Sequence, residues 1–207
     1  IISPGTVIES AGGEVSAVKK VVSPVLVNKE KSTFYHIDFS FDDLRLGGSA
    51  FAQSLNKVGS DVPTCKNPEY FRDAFDAVQT LVNKGLVLAG HAISAGGLIT
   101  TLLEMCFANM EGGMEISLDK FGRHDIVKIL LAENPGVVVQ IADKHKAEFK
   151  KIMDDAGVGY LKLGHPTDER LIQVTKDGAE YQFGIDYLRD VWYSTSYLLD
   201  RKQSMNG

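Results

Sequence analysis

A glycine pair near the middle of the chain separates two apolar segments, and this arrangement constrains the fold more than any other feature. The run at residues 86–91 is short and apolar, which is typical of a buried strand, and Gly96 and Gly97 end it. Residues 98–107 are apolar on every side at helical spacing, which indicates a buried rather than an amphipathic helix. We therefore expect both the strand and the helix to lie in the core.

The order of the elements around this pair predicts the fold class. From residue 86 to residue 165 the patterns read strand, helix, strand, helix, strand, helix, strand. If the short helix at residues 124–131 belongs to a connection, the order becomes βαββαβ, as in the ferredoxin-like or split-βαβ fold. We predict an α+β domain with a mostly antiparallel sheet, this ferredoxin-like order and flanking helices.

The segments on either side carry their own signals. Residues 33–39 are aromatic and β-branched and predict a strand. Residues 171–175 and 180–183 flank a turn sequence and predict a hairpin. Asn67 and Pro68 predict the start of a helix, because Asn is a favoured N-cap and Pro fits the first helical position.

Two helices show apolar residues at helical spacing. The helix that starts at Pro68 has such a stripe, formed by Phe71, Phe75, Val78 and Val82. A last helix is predicted at about residues 185–201, and its inward face is predicted to consist of Leu188, Val191, Trp192, Thr195 and Leu199.

The first 45 residues are less regular. Residues 6–9 predict a short strand and residues 14–22 a short helix. We expect residues 1–45 to add strands, or an arm that joins a preceding domain, to a main domain at residues 46–207. Because the chain opens without Met and without a capping signal, we also expect it to be a fragment of a larger protein.

Composition excludes several classes of protein. The net charge is −5 and no long Lys/Arg run occurs, whereas nucleic-acid binders usually carry a basic surface. No stretch approaches the roughly 20 apolar residues of a membrane helix, and the first residues do not resemble a signal peptide. Cys65 and Cys106 are too few for a disulfide framework, so we predict free thiols and a cytoplasmic location.

The strongest candidate site is the segment 91–98, His-Ala-Ile-Ser-Ala-Gly-Gly-Leu. Gly96 and Gly97 let the backbone approach a ligand closely, and a helix N-terminus offers free N–H groups and a positive dipole end to a phosphate. Ser94 adds a hydroxyl donor. The alternative is a tight strand-to-helix turn that binds nothing.

A second glycine pair, Gly47 and Gly48, precedes Ser49 at the start of another helical pattern, and the same two readings apply. Glu104 is an acid inside an apolar helix, so it should be paired, bound to a metal, or aimed at a site. The alternative is an exposed helix edge. No Cys or His residues stand at zinc-ligand spacing and no nucleophile–base pair is evident, so neither a metal site nor a catalytic residue is predicted.

These residues resemble one enzyme family. Residues 91–108 resemble the "H-D-x-S-D-G-G-L…E-M-A-F-A" segment of the phosphoribosylformylglycinamidine synthases. Further anchors follow in family order: residues 46–53 resemble "L-G-G/A-S/T-A-L-A-Q", residues 134–141 resemble "E-x-G-x-V-I-Q-V", and residues 188–197 resemble "L-x-x-x-W-x-E-T-S/T-x". The resemblance identifies the chain as a C-terminal-type domain of an AIR-synthase-like module.

The resemblance implies a function. Enzymes of this family use ATP and glutamine to convert formylglycinamide ribonucleotide into formylglycinamidine ribonucleotide, a step of purine biosynthesis. ATP activates the amide oxygen and ammonia from a glutaminase domain displaces the phosphate. ATP and Mg²⁺ would be bound mostly outside this chain, which would be inactive alone. Its partners would be N-terminal-type domains, the glutaminase domain and the ribonucleotide.

Five residues match the family motif and are the implied substrate-facing residues: His91, Ser94, Gly96, Gly97 and Glu104. Two positions depart from it, because Ala92 and Ala95 stand where the family has Asp. Losing the first Asp removes an acceptor or a metal-directed charge. A non-catalytic scaffold of the same fold, or a related AIR-synthase-type enzyme, therefore stays open as an alternative.

Overall fold

The computed structural model describes Gly12 and residues 17–204. The strand predicted at residues 6–9 lies outside the described residues, as does part of the helix predicted at residues 14–22. Within the latter range the structure describes a single 3₁₀ turn, Val18–Lys20.

One seven-stranded sheet forms the centre of the described structure. Its strands are β1 (Ser32–Asp38), β2 (Val87–Ala92), β3 (Gly113–Ser117), β4 (Gly136–Ala142), β5 (Tyr160–Thr167), β6 (Leu171–Lys176) and β7 (Ala179–Gly184). They lie in the order β2-β4-β1-β5-β3-β6-β7. The β3–β6 pair is parallel and the other five pairs are antiparallel, which confirms the predicted mostly antiparallel sheet.

Helices cover both faces of this sheet. They are α1 (Ala50–Ser54), α2 (Pro68–Asn83), α3 (Gly97–Phe107), α4 (Ile126–Leu131), α5 (Lys146–Asp155) and α6 (Ile185–Ser204). Buried residues of α3 and α4 share one apolar core with one face of the sheet. Buried residues of α2 and α5 share a second core with the other face.

The βαββαβ order is present, but it starts earlier than the sequence pattern suggested. β1 and β2 are both antiparallel to β4, so they run parallel with β4 between them, and α2 connects them. In the same way α5 connects β4 to β5, with β1 between. These two interlocked split-βαβ units consist of β1-α2-β2-β4-α5-β5, and α3, β3 and α4 are inserted between β2 and β4. Hydrophobic periodicity locates strands along the chain but does not specify which strands are neighbours in the sheet. The sequence pattern therefore includes β3 in the βαββαβ motif in place of β1.

β1 belongs to the N-terminal stretch that the sequence separated at residue 45. It is a central strand, and the side chains of Phe34 and Ile37 are fully buried on its two faces. The proposed boundary at residue 45 stays a prediction, but residues 32–38 are integral to the sheet.

The buried face of α2 differs from the stripe that indicates this helix in the sequence. Asn67 caps its N-terminus as predicted. Ala74, Ala77 and Leu81 face the core, whereas Phe75 is 48% exposed. Small residues let the helix lie close to the sheet and to α5, which leaves the larger aromatic side chains outside.

The predicted inward face of α6 is wrong beyond its first turns. Ile185 is buried and Leu188 packs against the core of α3. Val191 and Leu199, predicted to face inward, are more than half exposed, as is the Trp192 side chain, and Thr195 is exposed as well. The reason is that α6 runs past the edge of the core, where no other described element covers it.

Candidate functional site

The glycine pair forms the predicted turn between β2 and α3. Gly96 has φ +88 and Gly97 has φ +71, a left-handed conformation that L side chains rarely adopt. A Cβ atom on Gly97 would lie 2.7 Å from the carbonyl oxygen of Leu130. Both glycines are therefore needed by the turn itself, whether or not it binds a ligand.

The N–H groups of this pair are already used. The N–H of Gly97 donates to the carbonyl of Ser94 at 2.9 Å. The N–H of Gly96 donates to Oε1 of Glu133 at 2.8 Å. The expectation that the glycines present free donors to a phosphate does not match this arrangement.

The second glycine turn is closed in the same way. Gly47 donates to Asp61 O at 2.8 Å and Gly48 donates to Val58 O at 2.7 Å, while the N–H of Ser49 donates to Leu46 O at 3.2 Å. The Ser49 hydroxyl oxygen accepts from the N–H at position 52 and so caps α1. These three residues shape the loop, and their predicted role in phosphate binding stays untested.

Glu133 brings the two glycine turns together. Its Oε1 accepts from the N–H of Gly96 and also from the N–H of Ala50, both at 2.8 Å. An internal carboxylate therefore occupies the position where an anion was predicted at the start of α3 and α1. Sequence reasoning missed this residue, because no spacing rule connects position 133 with positions 50 and 96.

Glu104 is paired, as its place in an apolar helix predicts. Its Oε2 lies 3.1 Å from Nε2 of His91 at the end of β2. Its Oε1 accepts a hydrogen bond from the indole N–H of Trp192 in α6 at 3.1 Å. The other ring nitrogen of His91, Nδ1, lies 2.8 Å from the carbonyl oxygen of Ala92. Glu104 thus fixes the His91 ring and connects it to α6.

Two groups of the motif remain available. Ser94 and Ala95 are exposed, and the hydrogen bonds within the described residues use neither of their N–H groups nor the Ser94 hydroxyl. With His91, which is partly exposed, they form a short polar edge beside the start of α3. This edge can donate hydrogen bonds to an oxygen-rich ligand.

Asp42, in the loop after β1, is engaged in structural contacts. The side chain of Asp42 is almost fully buried, and it accepts from Thr64 Oγ1 at 2.8 Å and from Arg45 Nε at 3.1 Å. These hydrogen bonds hold the pKa of the Asp42 carboxyl well below its usual range. Within residues 17–204, no three His, Cys, Asp or Glu side chains are grouped so as to hold a metal ion.

The family described as "AIR synthase related protein, C-terminal domain" matches residues 39–177, which is more than half of the chain. The chain belongs to this AIR synthase related family. The match includes β2 through β6, and therefore the polar edge, both glycine turns and Glu133.

Relatives of this AIR synthase related domain are much longer proteins. A protein of Arabidopsis thaliana named probable phosphoribosylformylglycinamidine synthase, chloroplastic/mitochondrial, is 34% identical over 206 residues, which are 98% of this chain and 14% of the relative. The human phosphoribosylformylglycinamidine synthase is 33% identical over 207 residues, which are 98% of this chain and 15% of the relative. The chain thus spans about one seventh of these relatives.

Solved structures support the fold. The structure described as "T. maritima PurL complexed with FGAR" superposes with a TM-score of 0.65 over 83% of this chain and 30% of that one, at 14% identity. The structure described as "T. maritima PurL complexed with ATP" gives 0.63 over 83% of this chain and 28% of that one, also at 14% identity. At this identity the likeness establishes the α+β architecture of the AIR synthase related domain.

The helices of the described part of the chain were also compared with the requirements of a membrane span. None of those between residues 17 and 204 is both long enough and apolar enough to cross a membrane.

Proposed function

We propose that this chain is the C-terminal AIR-synthase-like domain of a phosphoribosylformylglycinamidine synthase, the ATP- and glutamine-dependent ligase of purine biosynthesis. The observation that carries the proposal is the identity of 33–34% with two proteins of that name along 98% of the chain. The enzyme converts formylglycinamide ribonucleotide into formylglycinamidine ribonucleotide, and this domain contributes one wall of a substrate-facing site.

The residues of the domain do not fit ATP and Mg²⁺ by themselves. The N–H groups of Gly96 and Gly97 are used internally, and Glu133 places a negative charge beside them. Ala92 and Ala95 supply no carboxylate for a metal ion. We therefore propose that ATP and Mg²⁺ are held mainly by N-terminal-type domains of the same enzyme.

His91 and Ser94 are the residues of the motif that contact the ribonucleotide in this proposal. The Ser94 hydroxyl has no hydrogen-bond partner among the described residues, and His91 is oriented by Glu104. Gly96 and Gly97 act by shaping the turn, and the 47–49 turn acts through Glu133, which fixes it to the motif. These roles require no proton transfer from this domain.

The test is an activity assay of the full-length enzyme with single substitutions. We expect His91→Ala and Ser94→Ala to raise KM for formylglycinamide ribonucleotide at least about tenfold, because the first removes the ring that forms the edge and the second removes a hydroxyl contact to the substrate. His165→Ala is the matched control, since this histidine is exposed on β5. Unchanged KM in both motif variants, with normal folding, contradicts the proposed contacts. A full-length protein without ligase activity contradicts the assignment itself.

A scaffold role is the second candidate, and Ala92 is the observation that favours it. This residue stands at the end of β2, where the resemblance calls for Asp. In the full-length enzyme Ala92→Asp should alter kcat or KM if the position faces the reaction. An unaltered rate, combined with unaltered rates for the His91 and Ser94 variants, supports a purely structural domain.

The partner domains have a candidate contact surface. Val191, Leu198 and Leu199 expose apolar area on α6 beyond its first turns. We propose that the glutaminase or N-terminal-type domains of the enzyme cover it, and that residues 1–45 join the preceding domain. The predicted cytoplasmic location also stays a prediction, since one relative is named chloroplastic/mitochondrial.

A further inference from the structure

A second concave site lies apart from the motif, where β1 ends and β5 begins. It is a cleft of about 320 Å³, at the lower end of the range for small-molecule sites. His36 forms part of its wall. In the sheet His36 and His91 both pair with Val138, one from each side, so the two histidines lie about 10 Å apart, two strand spacings, on the same face.

His36 is a largely buried polar group in the cleft wall. It is 8% exposed, and no described residue hydrogen-bonds to its ring. Burial lowers the pKa of His36 from 6.5 to about 4, although the charge of Asp38 opposes the shift. At neutral pH the ring is therefore uncharged, and it offers one N–H donor and one acceptor nitrogen. Because the ring contributes to the wall of the cleft, a ligand there can hydrogen-bond to it.

The charges around the cleft select against anions. Asp38, Asp42 and Asp43 contribute to its wall, whereas no Lys or Arg of the described residues does. Arg45, the nearest cation in the loop, pairs with Asp42. Lys66 pairs with Asp42 as well, so Asp38 and Asp43 are the wall carboxylates that no Lys or Arg of the described residues pairs, and they disfavour a phosphate or carboxylate more than a neutral or cationic group.

Three aromatic side chains also line the cleft. Phe121 packs against His36 with ring centroids 5.4 Å apart, and Tyr70 and Tyr160 also line the cleft. The Tyr70 hydroxyl oxygen accepts from the N–H of Gly159 at 3.0 Å, and no acceptor within residues 17–204 takes its own proton. Aromatic faces of this kind favour planar rings and, where charge is present, cations.

We propose that this cleft binds a planar nitrogen heterocycle of nucleobase size, uncharged or cationic, with His36 as its hydrogen-bonding partner. The site is separate from the polar edge of the motif and does not depend on the ligase function proposed above. It extends the chemistry of the domain from contacts with a phosphorylated substrate to recognition of an uncharged ring.

The experiment is an NMR titration of the ¹⁵N-labelled chain with adenosine and, separately, with AMP. We expect adenosine to shift amides near residues 36, 121 and 160, and to bind at least about threefold more tightly than AMP at low salt, because the phosphate of AMP meets the carboxylates. His36→Leu should weaken adenosine binding about tenfold, through loss of the buried hydrogen bond. The matched control, His165→Leu, should leave it unchanged.

Asp43→Asn gives a second variant that does not alter the buried wall. This substitution should reduce the ratio of the adenosine affinity to the AMP affinity, because it removes one of the carboxylates that repel the phosphate. The proposal is overturned if adenosine does not bind at millimolar concentration, if AMP binds as tightly as adenosine, or if the shifts appear only at residues 91–97. It is also overturned if a folded His36→Leu variant binds normally. None of these outcomes bears on the ligase assay of the full-length enzyme.

Discussion

The indole N–H of Trp192 donates a hydrogen bond to the carboxylate of Glu104 at 3.1 Å, and this contact joins the exposed helix α6 to the buried helix α3. Trp192 otherwise has more than half of its surface exposed. The contact therefore gives a solvent-facing helix a direct connection to the residue that orients His91.

A double-mutant cycle measures this contact. For Trp192→Phe combined with Glu104→Ala we expect a coupling energy of about 0.5–1 kcal/mol in urea unfolding, because the hydrogen bond is charge-assisted but partly exposed. Tyr193→Phe, which changes a neighbouring exposed ring, should show no coupling to Glu104→Ala. Equal coupling in both cycles would mean that the hydrogen bond does not form in solution. Since Trp192 is the only tryptophan, its fluorescence emission should also change in Glu104→Gln.

The carboxylate of Glu133 should contribute more to the free energy of unfolding than the Trp192–Glu104 hydrogen bond does, because it accepts from two backbone N–H groups. We expect Glu133→Ala to lower the free energy of unfolding by about 2 kcal/mol, since the N–H groups of Ala50 and Gly96 lose a charged acceptor. Amide exchange at positions 50 and 96 should accelerate together. Glu180→Ala, on the exposed strand β7, is the control and should change neither quantity. Acceleration at only one of the two amides would contradict the bridge.

Gly97 should tolerate no side chain. Gly97→Ala meets the carbonyl of Leu130 at 2.7 Å in addition to its positive φ, so we expect a loss of about 3 kcal/mol or more in thermal or urea unfolding. Gly178→Ala shares the positive φ, +82, but has nothing within 4 Å of the new atom, and should cost only about 1 kcal/mol. Equal losses would show that close approach to α4 does not matter.

His36 should make stability depend on pH. Its pKa is lowered by burial from 6.5 to about 4, so the unfolded chain binds a proton in this window that the folded chain does not. The free energy of unfolding must then fall as the pH falls from 6.5 towards 4, by about 2 kcal/mol at pH 5 relative to pH 8. The pKa values of Asp42, Asp119, Asp143 and Glu148 are lowered in the folded chain, so these carboxylates lose their contribution to stability only as the pH falls below the ordinary values of 3.8 for Asp and 4.5 for Glu, which lie below pH 5.

Urea unfolding at pH 8 and pH 5 checks this expectation. The His36→Leu variant should lose the difference that the natural chain shows between the two pH values, whereas His165→Leu should retain it. A natural chain with equal stability at both values would indicate that His36 is accessible to protons in the folded state.

The two thiols should react very differently. Cys65 is exposed and Cys106 is buried in α3, where burial raises the pKa of the Cys106 thiol to about 12 despite the opposing charge of Arg170. Only the thiolate is nucleophilic, so a disulfide reagent at pH 8 should modify one thiol in the folded chain and both in urea. Cys65→Ser should abolish the reaction of the folded chain. A reactive Cys106 would indicate opening of the α3 core.

The sequence predicted most elements correctly, because their signals are local. The aromatic run at 33–39 became β1, and Asn67 caps α2. The turn sequence between residues 171–175 and 180–183 connects β6 and β7 in the predicted hairpin. Periodicity, capping and turn residues act over a few positions, so they can be read without knowing the fold.

Assignments that required a neighbour were the ones that failed. The stripe of Phe71 and Phe75 reads as a buried face of α2, yet Ala74 and Ala77 take that place because the helix lies close to the sheet. The prediction for α6 failed for a similar reason. Its apolar residues beyond the first turns would be buried only if another element covered them. Family resemblance identified His91 and Glu104, but not that they contact each other or that Trp192 shares the carboxylate.

The sequence by itself determined the fold class, the boundaries of the strand–turn–helix at 87–107 and the family, since these depend on residue order and on local conformation. The tertiary structure alone decided that β1 lies in the middle of the sheet and that Glu133 reaches both glycine turns. It also decided that His36 faces a cleft. These relationships join residues from about 40 to more than 100 positions apart, and their energy comes from packing and hydrogen bonds that form only when the chain is folded.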